Sequence, residues 1–295
     1  MRKIGLFILG TLFTMSLFAQ ANKENTEQQK GQTEEKTPNW KKGGMFSLTF
    51  SQTSLSNWSA GGDDAISSNA LIDVYANYSK DKNSWENKLK MEYGLMRQDG
   101  QSVRKSIDNL EFASKYGYKA SKNWYYSALL GFQSQFAKGY DYSDTEGVDD
   151  TKLSNFLAPA YLTLSLGMDY KPNDMFSAYL SPLTGKITIV ADEDLSDAGA
   201  FGVNPGDTFR SEFGTYTKFA CKKDIMKNVN LQSTLALFSA YKTFGNVDVN
   251  WDISINMKVN ELLTATVHTA LVYDDDVLTK VQFKEVIAVG LAYRF

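Results

Sequence analysis

The chain has 295 residues, a net charge of -3 and 13% aromatic residues, with a mean hydropathy of -0.33. No internal apolar run reaches the roughly 18 residues that a transmembrane helix needs, so a helical membrane protein is excluded. The small net charge does not indicate nucleic acid as a partner. The chain contains 16 Tyr and 18 Phe but only 5 Pro, a composition that favours extended strands.

The N-terminus has the features of a signal peptide. Arg2 and Lys3 supply the positive charge, residues 4–18 form a short apolar region, and Ala19–Ala21 is a cleavage motif of small residues. The residues that follow are polar and free of aromatics, which is typical of a disordered leader. We predict a signal peptide over 1–19 (cleavage after 19 or 21), a periplasmic leader over 20–40 and one folded domain over 41–295.

Period-two alternation of apolar and polar residues dominates the chain from Met45 onward. The segment from Asn246 to Val259 shows it best, with seven apolar residues on one face. Strands of soluble sandwiches are usually about 5–6 residues long, whereas a membrane strand needs roughly 9–11. We predict about twelve strands, near 44–52, 69–79, 84–97, 105–118, 123–137, 155–170, 174–182, 208–220, 228–243, 247–259, 262–274 and 281–295.

This pattern predicts an all-β fold, a transmembrane antiparallel up-and-down β-barrel in the cell outer membrane. The three longest predicted connections, 53–68, 138–154 and 183–207, all fall on one side, as the outer loops of such barrels do. The chain ends on Phe295, in a strand that resembles the C-terminal signal for outer-membrane assembly. The expected partners are the lipid bilayer, lipopolysaccharide and that assembly machinery; no nucleic acid and no cofactor is expected.

Three motifs resemble a Bacteroidota family of outer-membrane proteins that is catalogued as a domain of unknown function. They are Ser51-Gln52-x-Ser54-Leu55-x-Asn57-Trp58-x-x-Gly61-Gly62, Trp85-x-Asn87-x-Leu89 with Tyr93-Gly94, and Leu180-Ser181-Pro182-Leu183-Thr184-Gly185-Lys186. The resemblance covers about residues 40–295. It implies an outer-membrane location and brings no catalytic residues.

Charged residues of both signs take the parity that faces the lumen. A selective pore would more often carry rings of one sign, and charges in a small lumen must pair. We therefore expect an ion-paired lumen that is closed or narrow. The lumen-lining candidates are Glu86, Lys88, Lys90, Glu92, Glu111, Lys115, Arg210, Glu212, Lys218 and His268.

Each of the other candidate sites also has an ordinary structural interpretation. His268 is the only histidine, and its lumen-facing parity argues against a catalytic role on the lipid-facing wall. The acidic loops at 140–150 and 183–207 lack calcium-loop spacing, so solvated surface loops are expected and no metal site is assigned. Trp58, Gly61 and Gly62 form either an outer-loop lid or a simple turn. Cys221 is expected to be an unreactive residue at a strand end.

The sequence thus favours a porin-like barrel, acting as a narrow pore or a structural component without enzymatic activity. An accessory subunit of a larger outer-membrane complex is the alternative. A lipid-modifying outer-membrane enzyme is a weaker third possibility.

Overall fold

Twelve antiparallel strands close into a barrel in the computed structural model, which describes residues 38–54, 64–142 and 149–295. Each barrel strand pairs with its neighbours in chain order, and the last strand pairs with the first. The barrel strands are β1 (Trp40–Thr53), β2 (Ala65–Lys80), β3 (Asn83–Gln98), β4 (Arg104–Lys119), β5 (Trp124–Ser134), β8 (Ala160–Tyr170), β9 (Phe176–Ile189), β10 (Phe209–Met226), β11 (Val229–Ala240), β12 (Asp248–Lys258), β13 (Leu263–Asp274) and β14 (Leu278–Arg294).

The predicted barrel of about twelve strands is confirmed. A separate two-stranded sheet, β6 (Gly139–Asp141) with β7 (Thr151–Ser154), lies in the connection between β5 and β8. The only α-helix of the described residues is the five-residue α1 (Glu193–Asp197). No helix in this part of the chain is long and apolar enough to cross a membrane.

Several predicted strand boundaries are wrong. β9 continues to Ile189 instead of ending at residue 182, so the connection after it is shorter than the predicted 183–207. β10 continues to Met226, which places Cys221 inside the strand, opposite Ser233, and not at its end. The signal peptide, most of the leader and the lid candidates Trp58, Gly61 and Gly62 lie outside the described residues.

Pro182 explains why β9 was predicted too short. Proline cannot donate to a strand ladder and is usually found at strand edges or bulges. The registers of β9 with both neighbours shift at this point, after Leu166 on β8 and between Gly214 and Tyr216 on β10. These irregularities accommodate the proline, and the strand resumes its inward and outward alternation beyond it.

The connection between β9 and β10 folds into a compact cap. We name residues 190–208 the cap segment; it contains α1 and a 3₁₀ turn at Ala200–Gly202. Asp192 begins α1 by accepting a hydrogen bond from the backbone N–H of Leu195. Apolar side chains hold the cap segment together and against the preceding β5–β8 connection: Ala158, Val190, Leu195 and Val203 are all buried.

Candidate functional site

The lumen of the barrel encloses a cavity of about 550 Å³. Its lining comes from β3–β5, β8–β14 and the cap segment, so it lies within the barrel wall and below the cap. A second cavity of about 230 Å³ shares several of the same residues and adds Lys284. This internal space, with the charges around it, is the candidate functional site.

Four charges form a neutral network around β3, β4 and β8. Glu86, Lys115, Asp169 and Lys171 alternate in sign. The Lys115 ammonium lies 2.6 Å from a carboxylate oxygen of Asp169 and 3.4 Å from one of Glu86. Lys171 pairs with the same two carboxylates, 3.2 Å from Asp169. Asp169 is only 1% exposed, so both lysines are needed to offset its desolvation.

Two further ion pairs lie on the wall formed by β2 and β3. Lys88 lies 3.1 Å from Asp73, and Lys90 lies 3.7 Å from Glu92. Glu92 also accepts a hydrogen bond from the Asn69 amide at 2.8 Å. These pairs neutralise most of the charge on this wall.

Glu111 and His268 complete the middle of the lumen. Glu111 accepts a hydrogen bond of 2.6 Å from the side-chain amide of Asn109. The Nε2 atom of His268 lies 2.9 Å from a carboxylate oxygen of Asp252 on the neighbouring strand. Ser254 is opposite His268 in the β12–β13 register, but in the described part of the chain no serine hydroxyl is hydrogen-bonded to this imidazole.

Lys186 bridges the lumen between strands that are not neighbours. Its ammonium, on β9, lies 2.6 Å from Asp248 on β12 and 3.1 Å from Asp274 on β13. Two further strands, β10 and β11, separate β9 from β12 around the wall, so this interaction narrows the lumen. Carboxylate oxygens of Asp248, Asp274 and Asp275 lie within 4.8 Å of one another, and the Lys186 ammonium already compensates two of them.

Arg210 ties the cap segment to the barrel. Its guanidinium pairs with Glu212 at 2.7 Å and with Asp276 in the β13–β14 turn. It also donates a hydrogen bond to the carbonyl oxygen of Gly202 at 3.3 Å. The bond from Arg210 holds the pKa of the Asp276 carboxyl below its usual range. Arg210 therefore connects the cap segment to the start of β10 and to the β13–β14 turn.

Asp192 fastens the other side of the cap segment. The Lys152 ammonium of β7 lies 2.7 Å from this carboxylate and also pairs with Asp194. The Asn155 amide donates a further bond at 2.8 Å. The bond from Lys152, with those from Asn155 and Leu195, lowers the pKa of Asp192 to about 2. Asp192 is therefore a buried anchor and not the solvated loop residue that the sequence predicts.

Phe201 of the cap segment lines the main cavity. Its backbone has φ of 59°, in the left-handed region that residues with a bulky side chain rarely adopt. The flanking bonds from Arg210 and the buried apolar cluster hold it there. The sequence analysis predicted this segment as a solvated acidic loop and placed the lid candidates elsewhere, at Trp58, Gly61 and Gly62.

The predicted lumen candidates are distributed through this network. Lys88, Lys90, Glu111, Lys218 and His268 line the main cavity. Glu86, Glu92, Lys115, Arg210 and Glu212 lie in the ion pairs around it. The sequence missed the roles of Lys186 and Phe201 because both were assigned to a surface loop. The alternation of Thr184, Lys186 and Thr188 was the available signal for the first.

The distribution of polarity is the reverse of that in a soluble protein. Buried residues include Asp169, Ser181, Thr184 and Thr188, all at 1% exposure or less. The outer wall is apolar, with Ile287 71% exposed among many large hydrophobic residues. A closed barrel with an apolar outside and a charged interior is built for contact with lipid. The chain is an outer-membrane β-barrel.

Comparisons with known proteins add no activity to this description. A family model described as "Protein of unknown function (DUF3078)" matches residues 50–140, which confirms the resemblance to a domain of unknown function over that range. No curated protein matches this outer-membrane barrel significantly.

Solved structures similar to this outer-membrane barrel include proteins of different activities. The translocator domain of the autotransporter NalP from Neisseria meningitidis is 8% identical, with 89% of this chain and 90% of that chain covered and a TM-score of 0.42. An outer membrane channel from Pseudomonas putida F1 is 12% identical, with 86% and 92% covered and a TM-score of 0.39. Outer membrane phospholipase A from Escherichia coli is 8% identical, with 90% and 94% covered and a TM-score of 0.35.

Proposed function

We propose that this barrel is a narrow, constricted outer-membrane pore for small polar solutes, without enzymatic activity. The cavity of about 550 Å³ inside the lumen carries the proposal. In the smallest barrels, side chains fill the interior and leave no such space. Here the space is preserved, while Phe201 and the Lys186 bridge limit its width near the cap.

The lumen charges favour weak selectivity. Ion pairs of both signs line the wall, whereas a strongly selective filter usually presents a ring of one sign. Polar hydroxyl, amide and charged groups replace part of the hydration of a passing solute. Small hydrophilic solutes are therefore better suited to this lumen than large or apolar ones.

Planar-bilayer recording of the purified full chain tests the pore. We expect small, discrete current steps from single barrels in symmetric potassium chloride. Sustained absence of current, with stoichiometric co-purification of another protein in mild detergent, would instead support the accessory-subunit alternative.

The proposal of no enzymatic activity is supported by the lumen-facing pairing of His268 with Asp252. Barrels containing His268→Ala should leave the lipid composition of the outer membrane unchanged. A loss of lipid modification in that variant would favour the lipid-modifying enzyme. From the sequence motifs we also propose contact with lipopolysaccharide and with the assembly machinery, and a Bacteroidota affiliation.

A further inference from the structure

Lys218 differs from the other lysines that line the main cavity. Lys88 pairs with Asp73, Lys90 lies near Glu92, and Lys186 pairs with two aspartates. Lys218 lies on β10 opposite Ala236 and Tyr179 in the two adjacent registers. Among the described residues, it has no carboxylate within ion-pair distance and no hydrogen-bond acceptor.

The acidic groups near Lys218 are already engaged. Four charged lumen residues act on its ammonium: the cations Lys115 and Lys88, and the carboxylates Glu111 and Glu86. Glu86 is shared between Lys115 and Lys171. Glu111 is bonded to Asn109 and also acts on Lys90. Two of the four neighbours are cations, so the charge of Lys218 is left incompletely compensated.

Two neutral hydroxyl groups line the same cavity as this ammonium. Tyr216 precedes Lys218 by two residues, which places both side chains on the same face of β10. Thr234, on β11, lines the same cavity. Within the described ranges, neither hydroxyl has a protein hydrogen-bond partner. The cavity wall thus offers one incompletely compensated cation and two hydroxyl groups without protein partners among the described residues.

We propose that Lys218, with the Tyr216 and Thr234 hydroxyls, forms a binding site for a compact oxyanion, a carboxylate or phosphate group of a solute in the lumen. An uncompensated charge inside a protein is costly, and an anion that binds it relieves that cost. Charge-assisted hydrogen bonds from an ammonium to an oxyanion are stronger than neutral ones. This site rests on the proposed pore function and identifies the class of solute that binds inside the lumen.

Calorimetric titration of the purified full chain in detergent tests the site, with inorganic phosphate and acetate as probes and chloride at constant ionic strength. We expect saturable binding of phosphate or acetate that weakens at least tenfold in Lys218→Met and is recovered in Lys218→Arg. Lys223→Met is the matched control, because Lys223 is an exposed lysine of the same strand outside the cavity. Its affinity should equal that of the wild type.

Equal affinity in Lys218→Met and wild type, or no saturable binding in the wild type, would overturn the site. Planar-bilayer recording distinguishes absence of the oxyanion site from absence of pore activity. Current steps without Lys218-dependent binding would remove the oxyanion site and leave the pore. Lys218-dependent binding without any current would keep the site and remove the pore.

Discussion

Thr49 of β1 lies opposite Gly290 of β14, and the pairing between these two strands ends at this position. The backbone pairing begins with Gly44 and Phe295, so the seam that closes the barrel is short compared with the neighbouring β1–β2 ladder. Beyond it, Phe50–Thr53 and the stretch of β14 before Gly290 have no cross-seam partner within the described chain. Unpaired strand edges are unfavourable in lipid, so this seam is the weakest part of the wall.

Substitution of Gly290 should open the seam. A Cβ atom at this position would lie 2.4 Å from the carbonyl oxygen of Leu48 and 2.7 Å from the Cα atom of Thr49. Gly290→Ala should therefore destabilise the barrel by about 1–3 kcal/mol, as overpacking does. Stepwise heating followed by gel mobility in detergent measures the change.

Gly185→Ala is the matched control for Gly290→Ala. Gly185 also lies within a barrel strand, but a Cβ atom added there meets nothing within 4 Å. Its effect should stay within about 0.5 kcal/mol, as for most unremarkable surface positions. Equal unfolding temperatures for the two variants would show that the seam is not limiting.

Cysteine pairs should report how far the seam is closed. In a Cys221→Ser background, Phe46→Cys with Tyr293→Cys replaces residues that already lie opposite each other. Phe50→Cys with Val289→Cys tests the position where the same register would continue. We expect rapid oxidation of the first pair and slower oxidation of the second, because a disulfide needs closely placed Cβ atoms. Equal rates would indicate a seam that is paired along its whole length.

The strand pattern was predictable because lipid and lumen impose opposite polarity on successive residues. Lys186 shows where this reasoning fails. Pro182 and the bulge around it interrupt the alternation, so the second half of β9 resembled a loop. Its partners, Asp248 and Asp274, are 62 and 88 residues away in sequence. Only closure of the barrel brings these three side chains together, and no local sequence pattern predicts this contact.

Phe201 should limit the conductance of the pore. Phe201→Ala removes the ring that lines the cavity, and Phe201→Gly also suits the backbone φ of 59°. Both variants should give larger current steps in planar bilayers, without loss of folded barrel. Phe156→Ala is the control, since Phe156 is 51% exposed and does not line the cavity. Unchanged current in both Phe201 variants would contradict the constriction.

Acid should release α1 of the cap segment. The native pKa of Asp192 is about 2, below its ordinary value of 3.8. A lowered native pKa means that the carboxylate stabilises the cap fully above about pH 4, and that this contribution is lost as the pH falls through 2. Amide exchange of Leu195, whose N–H bonds to Asp192, should therefore lose protection between pH 4 and 2.

Asp192→Ala provides the comparison for this pH dependence. Loss of a helix N-cap costs about 1 kcal/mol, so protection of Leu195 should fall about fivefold at neutral pH. The same variant should lose the acid transition, because the titrating carboxyl is absent. A similar transition in wild type and Asp192→Ala would assign the acid response to another group.

Lys186→Met should create a divalent-cation site in the lumen. Without the ammonium, the carboxylates of Asp248 and Asp274 lose the charge that lies 2.6 and 3.1 Å from them. Removal of one partner from a buried ion pair costs about 3–5 kcal/mol, so the variant should unfold at lower temperature without added metal. Calcium prefers several carboxylate oxygens, and those of Asp248, Asp274 and Asp275 lie within 4.8 Å of one another.

Calcium should therefore restore the stability of Lys186→Met and block its current, while the wild type responds to neither test. At a hundred times its dissociation constant, a bound ion contributes about 2.7 kcal/mol, which is enough to see as a shift in the unfolding temperature. Lys186→Met combined with Asp274→Asn removes one carboxylate and should lose the calcium response. If calcium stabilised the wild type and blocked its current equally, the Lys186 ammonium would not be the group that excludes calcium from these carboxylates.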